Sequence, residues 1–205
     1  MHEDGTPKVG AAVGAGKDLD ERLDLLLQAG VDVICVDSGH GYSEYIMNAV
    51  KEVRRRAPDI ILMAGNVATY DGAKGIIECG ADIIRVGMGP GSICTTRIVS
   101  GMGVPQVTAV MEAARAAQGT EATVIADGGI KQTGDIAKAL AAGADAVMLG
   151  SLLAGYDQSP GEIIEENGKK YKSFRGMGSA DAMADGGAER YGQDPSELKK
   201  KLIPE

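Results

Sequence analysis

Apolar residues along this chain come in short unbroken blocks, and three of these blocks follow the same lead-in. The phrase reads Gln28-Ala29-Gly30-Val31-Asp32-Val33-Ile34-Cys35-Val36-Asp37, then Glu78-Cys79-Gly80-Ala81-Asp82-Ile83-Ile84-Arg85-Val86-Gly87. It returns as Ala142-Gly143-Ala144-Asp145-Ala146-Val147-Met148-Leu149-Gly150. In each copy an amphipathic stretch stops at a glycine, which suits the left-handed residue that ends many helices. The block that follows lacks polar alternation, the pattern of a parallel strand buried on both faces. Further blocks at 9–13, 60–64 and 124–126 complete a set of six. Helical spacing fills the intervals, as in Leu19, Leu23, Leu26 and Leu27, or Ile136, Ala139 and Leu140.

Strand and helix alternate strictly, so the pattern predicts an α/β fold: a partial TIM (β/α)8 barrel with about six of eight units visible. A doubly wound open sheet is the competing arrangement, but no Gly-x-Gly-x-x-Gly stands between a first strand and its helix. A full barrel has eight strands and typically about 250 residues. The shortfall implies either a fragment or a partner that supplies the missing strands. Residues 1–156 are expected to hold the barrel units with their substrate and cofactor loops. Residues 157–205 are polar, rich in glycine and weakly periodic, with a hairpin signal at Asn167-Gly168. An irregular segment of that length is more often a functional flap than filler, and it belongs to the same domain.

Composition narrows the picture. With 205 residues, 44% of them hydrophobic, the chain suits one domain with a substantial core. Aromatic residues are 3% and Trp is absent, so that core rests on Val, Ile, Leu, Ala and Met. A net charge of −8 argues against a nucleic-acid partner, which would select a basic face. The runs Arg54-Arg55-Arg56 and Lys199-Lys200-Lys201 read as solvated faces. Three cysteines at wide spacing make neither a disulfide framework nor a zinc site. No signal peptide and no apolar run of membrane-spanning length is visible, so a cytoplasmic, reducing setting without membrane contact is expected.

Barrels carry their chemistry at the carboxyl ends of the strands. Those ends read Asp37-Ser38-Gly39-His40-Gly41, Gly65-Asn66, the loop from Gly87 to Thr96, Asp127-Gly128-Gly129 and Gly150-Ser151. The last two, each followed by a helix, suit a phosphate held by backbone N–H groups and a helix end. The longest loop, Gly87-Met88-Gly89-Pro90-Gly91-Ser92-Ile93-Cys94-Thr95-Thr96, carries a cysteine. Cys35 and Cys79 read as core residues. Cys94 is the thiol placed to act as a covalent nucleophile on a phosphate-bearing substrate. The hydroxyls of Ser92 and Thr96 stand ready to relay a proton or hold phosphate.

The run Val86-Gly87-Met88-Gly89-Pro90-Gly91-Ser92-Ile93-Cys94-Thr95-Thr96-Arg97, with Gly103-Val104-Pro105-Gln106 after it, resembles the signature of the IMP dehydrogenase and GMP reductase family. Supporting segments are Val36-Asp37-Ser38-Gly39-His40-Gly41, Ala64-Gly65-Asn66-Val67-Ala68-Thr69, Ile125-Ala126-Asp127-Gly128-Gly129 and Arg175-Gly176-Met177-Gly178-Ser179. The resemblance implies a purine nucleotide monophosphate as substrate, with Cys94 attacking C2 of the base. It places Ser92, Asp127, Gly129, Gly150 and Ser151 around the nucleotide, with Asp127 on the ribose hydroxyls. Met177, Gly178 and Glu205 fall to the base. Asp37, Ser38, Asn66, Arg85 and Gly87 fall to the nicotinamide side, and main-chain carbonyls of Gly89, Gly91 and Cys94 to a potassium ion. Arg190 and Tyr191 match the pair that activates water, and Thr96 matches the threonine near the nucleophile.

Two branches of that family are open. NAD-dependent oxidation of IMP to XMP, in guanine nucleotide biosynthesis, is favoured by Arg190-Tyr191, Gly178-Ser179 and Ile98-Val99. NADPH-dependent reductive deamination of GMP is favoured by Gly41-Tyr42-Ser43-Glu44 and Gly168-Lys169-Lys170-Tyr171-Lys172. Phe174 stands where the dehydrogenase has a tyrosine whose hydroxyl reaches the phosphate. A third reading, from a different class, is a truncated and inactive nucleotide-binding homologue. It arises because the first two strands, the inserted CBS pair and the family's carboxyl-terminal end have no counterpart here. The resemblance also implies a homo-oligomer, a tetramer in this family.

Overall fold

In the computed structural model, which describes residues 1–177, 179 and 182, the alternation read from the sequence holds through six units. They are β1 (Gly10–Val13), α1 (Leu19–Gln28), β2 (Val33–Asp37), α2 (Glu44–Arg56), β3 (Ile61–Val67), α3 (Tyr70–Glu78) and β4 (Ile83–Val86). Then come α4 (Thr96–Val99), α5 (Gln106–Ala117), β5 (Thr123–Asp127), α6 (Thr133–Ala141), β6 (Ala146–Met148) and α7 (Ser151–Ala154). A hairpin of β7 (Ile163–Glu166) and β8 (Lys169–Lys172) follows. The helix stops are where the pattern put them: Gly30, Gly80 and Gly143 have φ of 75°, 100° and 105°. A residue with a Cβ is strained there.

β1 to β6 pair in sequence order, every neighbour parallel, as one curled sheet of partial TIM-barrel form. Parallel partners in register share a face, and the register sorts the side chains into two sets. Val13, Ile34, Val36, Leu62, Ala64, Ile84, Val86, Val124 and Ala126 lie on one face, all at most 1% exposed, packed against Leu23, Val50, Val53, Ile76 and Val110 of the helices. The other face carries Cys35, Asp37, Met63, Gly65, Arg85, Ile125 and Asp127. It is covered less completely than the unbroken apolar blocks imply, since Met63, Ile83 and Ile125 are half-buried.

The repeated Gly-x-Asp of the sequence has a structural task at the amino ends of the strands. Asp32, Asp82 and Asp145 each accept from the backbone N–H that opens the preceding strand, at Val9, Leu62 and Val124 (2.8, 2.8 and 2.7 Å). Each aspartate's own N–H returns a bond to the carbonyl of the same residue. The N–H bond from Val9 holds the Asp32 carboxyl below its ordinary range, against the opposing effect of burial. Each repeat is thus stapled to its neighbour at the end of the sheet where barrels keep stability rather than chemistry.

Two expected details differ. The strand read at 60–64 continues to Val67, because a bulge absorbs one residue: Gly65 pairs with Arg85, Val67 with Val86, and Asn66 is the extra one. A bulge has no signature in hydrophobic period, so the block alone ended too early. The hairpin signal at Asn167-Gly168 is realised as a two-residue turn with φ of 52° and 71°. Lys172 ties this hairpin down, donating from Nζ to the carbonyls of Tyr156, Asp157 and Ser159.

Leu62 is fully buried between sheet and helices. Leu62→Ala is expected to lower stability by about 3 kcal/mol, the usual range for a core leucine, read as a shift in the urea midpoint at constant slope.

Candidate active site

The polar residues of the inner face meet at the carboxyl end of the sheet, and Arg85 organises them. Its guanidinium donates from Nη1 to Asp37 Oδ1 at 2.7 Å and from Nε to Asp127 Oδ2 at 2.9 Å. Asp37 lies two strands away, so the side chain must cross β3. The β3 residue in register is Gly65, where a Cβ would come within 2.7 Å of Arg85 Cβ and 2.5 Å of its carbonyl oxygen. The glycine leaves the lane open. All three ionic side chains are about four-fifths buried, at 19%, 18% and 19% exposure. Burial disfavours the guanidinium charge, but the carboxylates of Asp37 and Asp127 outweigh it and push the Arg85 pKa up. Beneath them the Cys35 thiol, 3.6 Å from Arg85 Nη1, is pushed up by burial and is a core group, as expected.

Asn66, the bulge residue, joins the same network. Its Nδ2 donates to Asp127 Oδ2 and to the Gly87 carbonyl, both at 2.8 Å. Its Oδ1 is buried and has no partner among the described residues. Ser38 closes the neighbouring loop onto β3 by exchanging backbone bonds with Gly65 and Asn66. The residues expected on the nicotinamide side, Asp37, Ser38, Asn66, Arg85 and Gly87, therefore form one connected cluster. Asp127, expected on the ribose, belongs to it as well.

The thiol loop leaves β4 at Gly87, whose φ is 146° and whose missing Cβ would stand 2.1 Å from the Asp127 carbonyl oxygen. No side chain fits where these two backbones pass. The loop then turns at Gly91, whose carbonyl accepts the Cys94 N–H at 3.1 Å. Cys94 is exposed, unlike Cys35 and Cys79. Its Sγ–H donates to Thr96 Oγ1 at 3.2 Å, and Thr96 opens the short helix α4 inside the loop. The hydrophobic pattern did not predict that helix, because one turn is too short for a period. Arg97, which sequence reasoning also passed over, donates to the carbonyls of Met88 and Val104 and so brackets the loop from within. Ser92 is exposed beside the thiol.

The turns expected to hold phosphate differ in one respect from the reading. Gly128 and Gly129 pack under Pro90, so the Asp127 turn abuts the thiol loop. Helix α6, however, begins only at Thr133, and the Asp135 carboxylate already accepts the N–H groups of Lys131 and Gln132. Helix α7 starts directly at Ser151 but is a single turn. The amide of Gly129 thus precedes its helix by several residues, whereas those of Gly150 and Ser151 stand directly at the start of theirs. The chain after the hairpin returns to these turns: Phe174 lies beside Gly150, and Gly176 beside Ile93 of the thiol loop. Met177 follows at the rim and is exposed. Gly178, Arg190, Tyr191 and Glu205 lie outside the described residues.

A curled parallel sheet with its polar residues gathered at the carboxyl rim, and a free thiol in the longest rim loop, defines an α/β protein of partial TIM-barrel type. Comparison with known families matches the description "IMP dehydrogenase / GMP reductase domain" over residues 1–205, and the chain belongs to that family. The inosine-5'-monophosphate dehydrogenase of Escherichia coli strain K12 is 55% identical over 203 residues, covering 99% of this chain and 41% of that protein. Those of Aquifex aeolicus and Chlorobaculum parvum are 54% and 50% identical, over 98% and 100% of this chain and 41% and 42% of theirs. The chain thus spans about two fifths of the length of these relatives. Among the described residues no helix is long and apolar enough to cross a membrane.

Removing Arg85 takes from two largely buried carboxylates the guanidinium that joins them. Arg85→Met is expected to destabilise the fold by on the order of 3 kcal/mol, measured by urea unfolding. Arg85→Lys restores only part, since one ammonium lacks the fork that spans both acids. An unchanged midpoint in Arg85→Met would show that Asp37 and Asp127 do not depend on it.

Proposed function

We propose that this chain carries the nucleotide and nicotinamide machinery of an IMP dehydrogenase, oxidising IMP to XMP with NAD and Cys94 as the nucleophile. The observation that carries this reading is one exposed thiol, hydrogen-bonded to Thr96, in the loop whose Pro90 and Gly91 pack against the turn after Asp127. The chemistry asks for that arrangement. The Cys94 sulfur adds to C2 of the purine, a hydride leaves C2, and water then cleaves the resulting thioimidate to give XMP and free thiol. Thr96 Oγ1, which accepts the hydrogen bond of the thiol, orients Sγ. Asp127, held by Arg85 and Asn66, presents a fixed carboxylate to ribose hydroxyls. Backbone amides at Gly129, Gly150 and Ser151, with Ser92, receive the phosphate. Met177, Gly178 and Glu205 are assigned to the base, and Arg190 with Tyr191 to the activation of water.

NAD, when bound, supplies the hydride acceptor. The residues fit such a group: Asn66 Oδ1 is a buried acceptor lacking a donor, beside Asp37, Ser38, Arg85 and Gly87, and a carboxamide N–H would satisfy it. Potassium fits the neutral oxygen donors of Gly89, Gly91 and Cys94, a hard set without thiolate or imidazole. Phe174, next to Gly150, brings no hydroxyl to the phosphate, so the amides there carry more of the binding. A homo-oligomer and a location in the cytoplasm accord with the family, and we include both in the proposal.

Incubation with IMP and NAD is expected to yield NADH, and Cys94→Ala to abolish it while IMP still binds in equilibrium dialysis. Turnover retained in Cys94→Ala would remove Cys94 as nucleophile. NADPH consumption with GMP, in place of NADH formation, would assign the reductase branch.

A further inference from the structure

Val86 and Asp127 present carbonyl oxygens where the pairing of β4 with β5 runs out, since the last partners in register are Val86 and Ala126. Two carboxamides close this gap from opposite sides. Asn66 holds the Gly87 carbonyl and the Asp127 carboxylate from β3. Gln106, the first residue of α5, reaches in from the helix layer. Its Nε2 donates to the Val86 carbonyl at 2.8 Å and to the Asp127 carbonyl at 3.1 Å. Both neighbours are acceptors, so the NH2 group must face them. The remaining Oε1 is buried without a partner among the described residues. An orphaned acceptor destabilises a fold, so the residue is not explained as a device for stability alone. Gly87 makes room for it: a Cβ there would stand 2.9 Å from Gln106 Nε2.

We propose that Gln106 is a positioning residue, which sets the spacing between the loop that carries Cys94 and the turn that carries Asp127. It touches neither thiol nor carboxylate. It ties together the backbone from which each departs, and Pro105, the cap of α5, fixes the point from which it reaches. The consequence rests on the nucleotide reading above: thiol and ribose partner must stand at one fixed separation to engage the same nucleotide.

The test uses Gln106→Met, which keeps the length and removes the donors, and Gln106→Asn, which keeps the NH2 group but reaches only one carbonyl. Backbone hydrogen exchange at 87–94 and 127–129 is expected to quicken at least about ten-fold in Gln106→Met, which loses both bonds, and less in Gln106→Asn. Exchange in β2 is expected to stay unchanged, whereas a merely structural role would raise it throughout the sheet. In parallel, the IMP concentration that half-protects Cys94 from iodoacetamide should rise about ten-fold in Gln106→Met, while the alkylation rate without IMP stays the same. Unchanged exchange in both variants, or quickening equal across the sheet, overturns the positioning role. If Gln106→Met loses its cooperative unfolding transition, Gln106→Asn decides by the same comparison. Failure of IMP to protect the unsubstituted chain overturns the nucleotide reading, and exchange still judges the clamp.

Discussion

A guanidinium on the inner face of a parallel sheet has few places to go. Arg85 lies in a strand between Ile84 and Val86, both fully buried on the opposite face. Its own side chain is four-fifths covered, so its charge must be met by carboxylates within reach. Asp37 and Asp127 meet it, and that pairing fixes much else. Gly65 has to be a glycine for the side chain to pass. The ends of β2, β4 and β5 are drawn to one point, and Asn66, put out of register by the bulge, completes the link to Gly87. The polar rim is therefore one connected network of charge and hydrogen bonds, and the thiol loop starts from it.

The two ends of the sheet divide the labour. At the amino ends the same group, an aspartate after the helix stop, repeats its exchange of bonds with the strand before it. Repetition is what a purely structural requirement produces, because each β/α unit faces the same edge problem. At the carboxyl ends no such unit-by-unit repeat is made. Arg85, Asn66, Gln106 and Cys94 each have a distinct role there, and the two aspartates, Asp37 and Asp127, share one arginine, which is how a barrel differentiates one rim for chemistry.

Much of this was legible beforehand. The apolar blocks located all six strands of the sheet, the glycines located three helix stops, and Asn167-Gly168 located the hairpin, because each depends on local sterics or on period. Cys94 stood out as the exposed thiol for a similar reason, lying in a glycine-rich loop outside any apolar block. The bulge at Asn66, the short helix α4 and the brackets made by Arg97 and Gln106 did not stand out. The bulge and the Gln106 bracket join segments about twenty residues apart, α4 is too short to show a period, and Arg97 bonds carbonyls of its own loop, which leave no mark in an apolar pattern. The late start of α6 after Asp127 likewise rests on a local detail, the Asp135 carboxylate holding the amides of Lys131 and Gln132.

By itself, then, the sequence determined the order of strands and helices, the glycine stops and the residues that carry chemistry, since these follow from backbone sterics and from hydrophobic period. Only the tertiary structure decided how those residues are joined. Whether Arg85 faces Asp37 or solvent depends on strand register, and a shift by one residue would turn it to the opposite face. That Gly65 is a passage, that Asn66 and Gln106 grip the same turn, and that Pro90 of the thiol loop packs on Gly128 and Gly129 are facts of through-space distance. They arise from parallel pairing between units some twenty to forty residues apart, which no local pattern encodes.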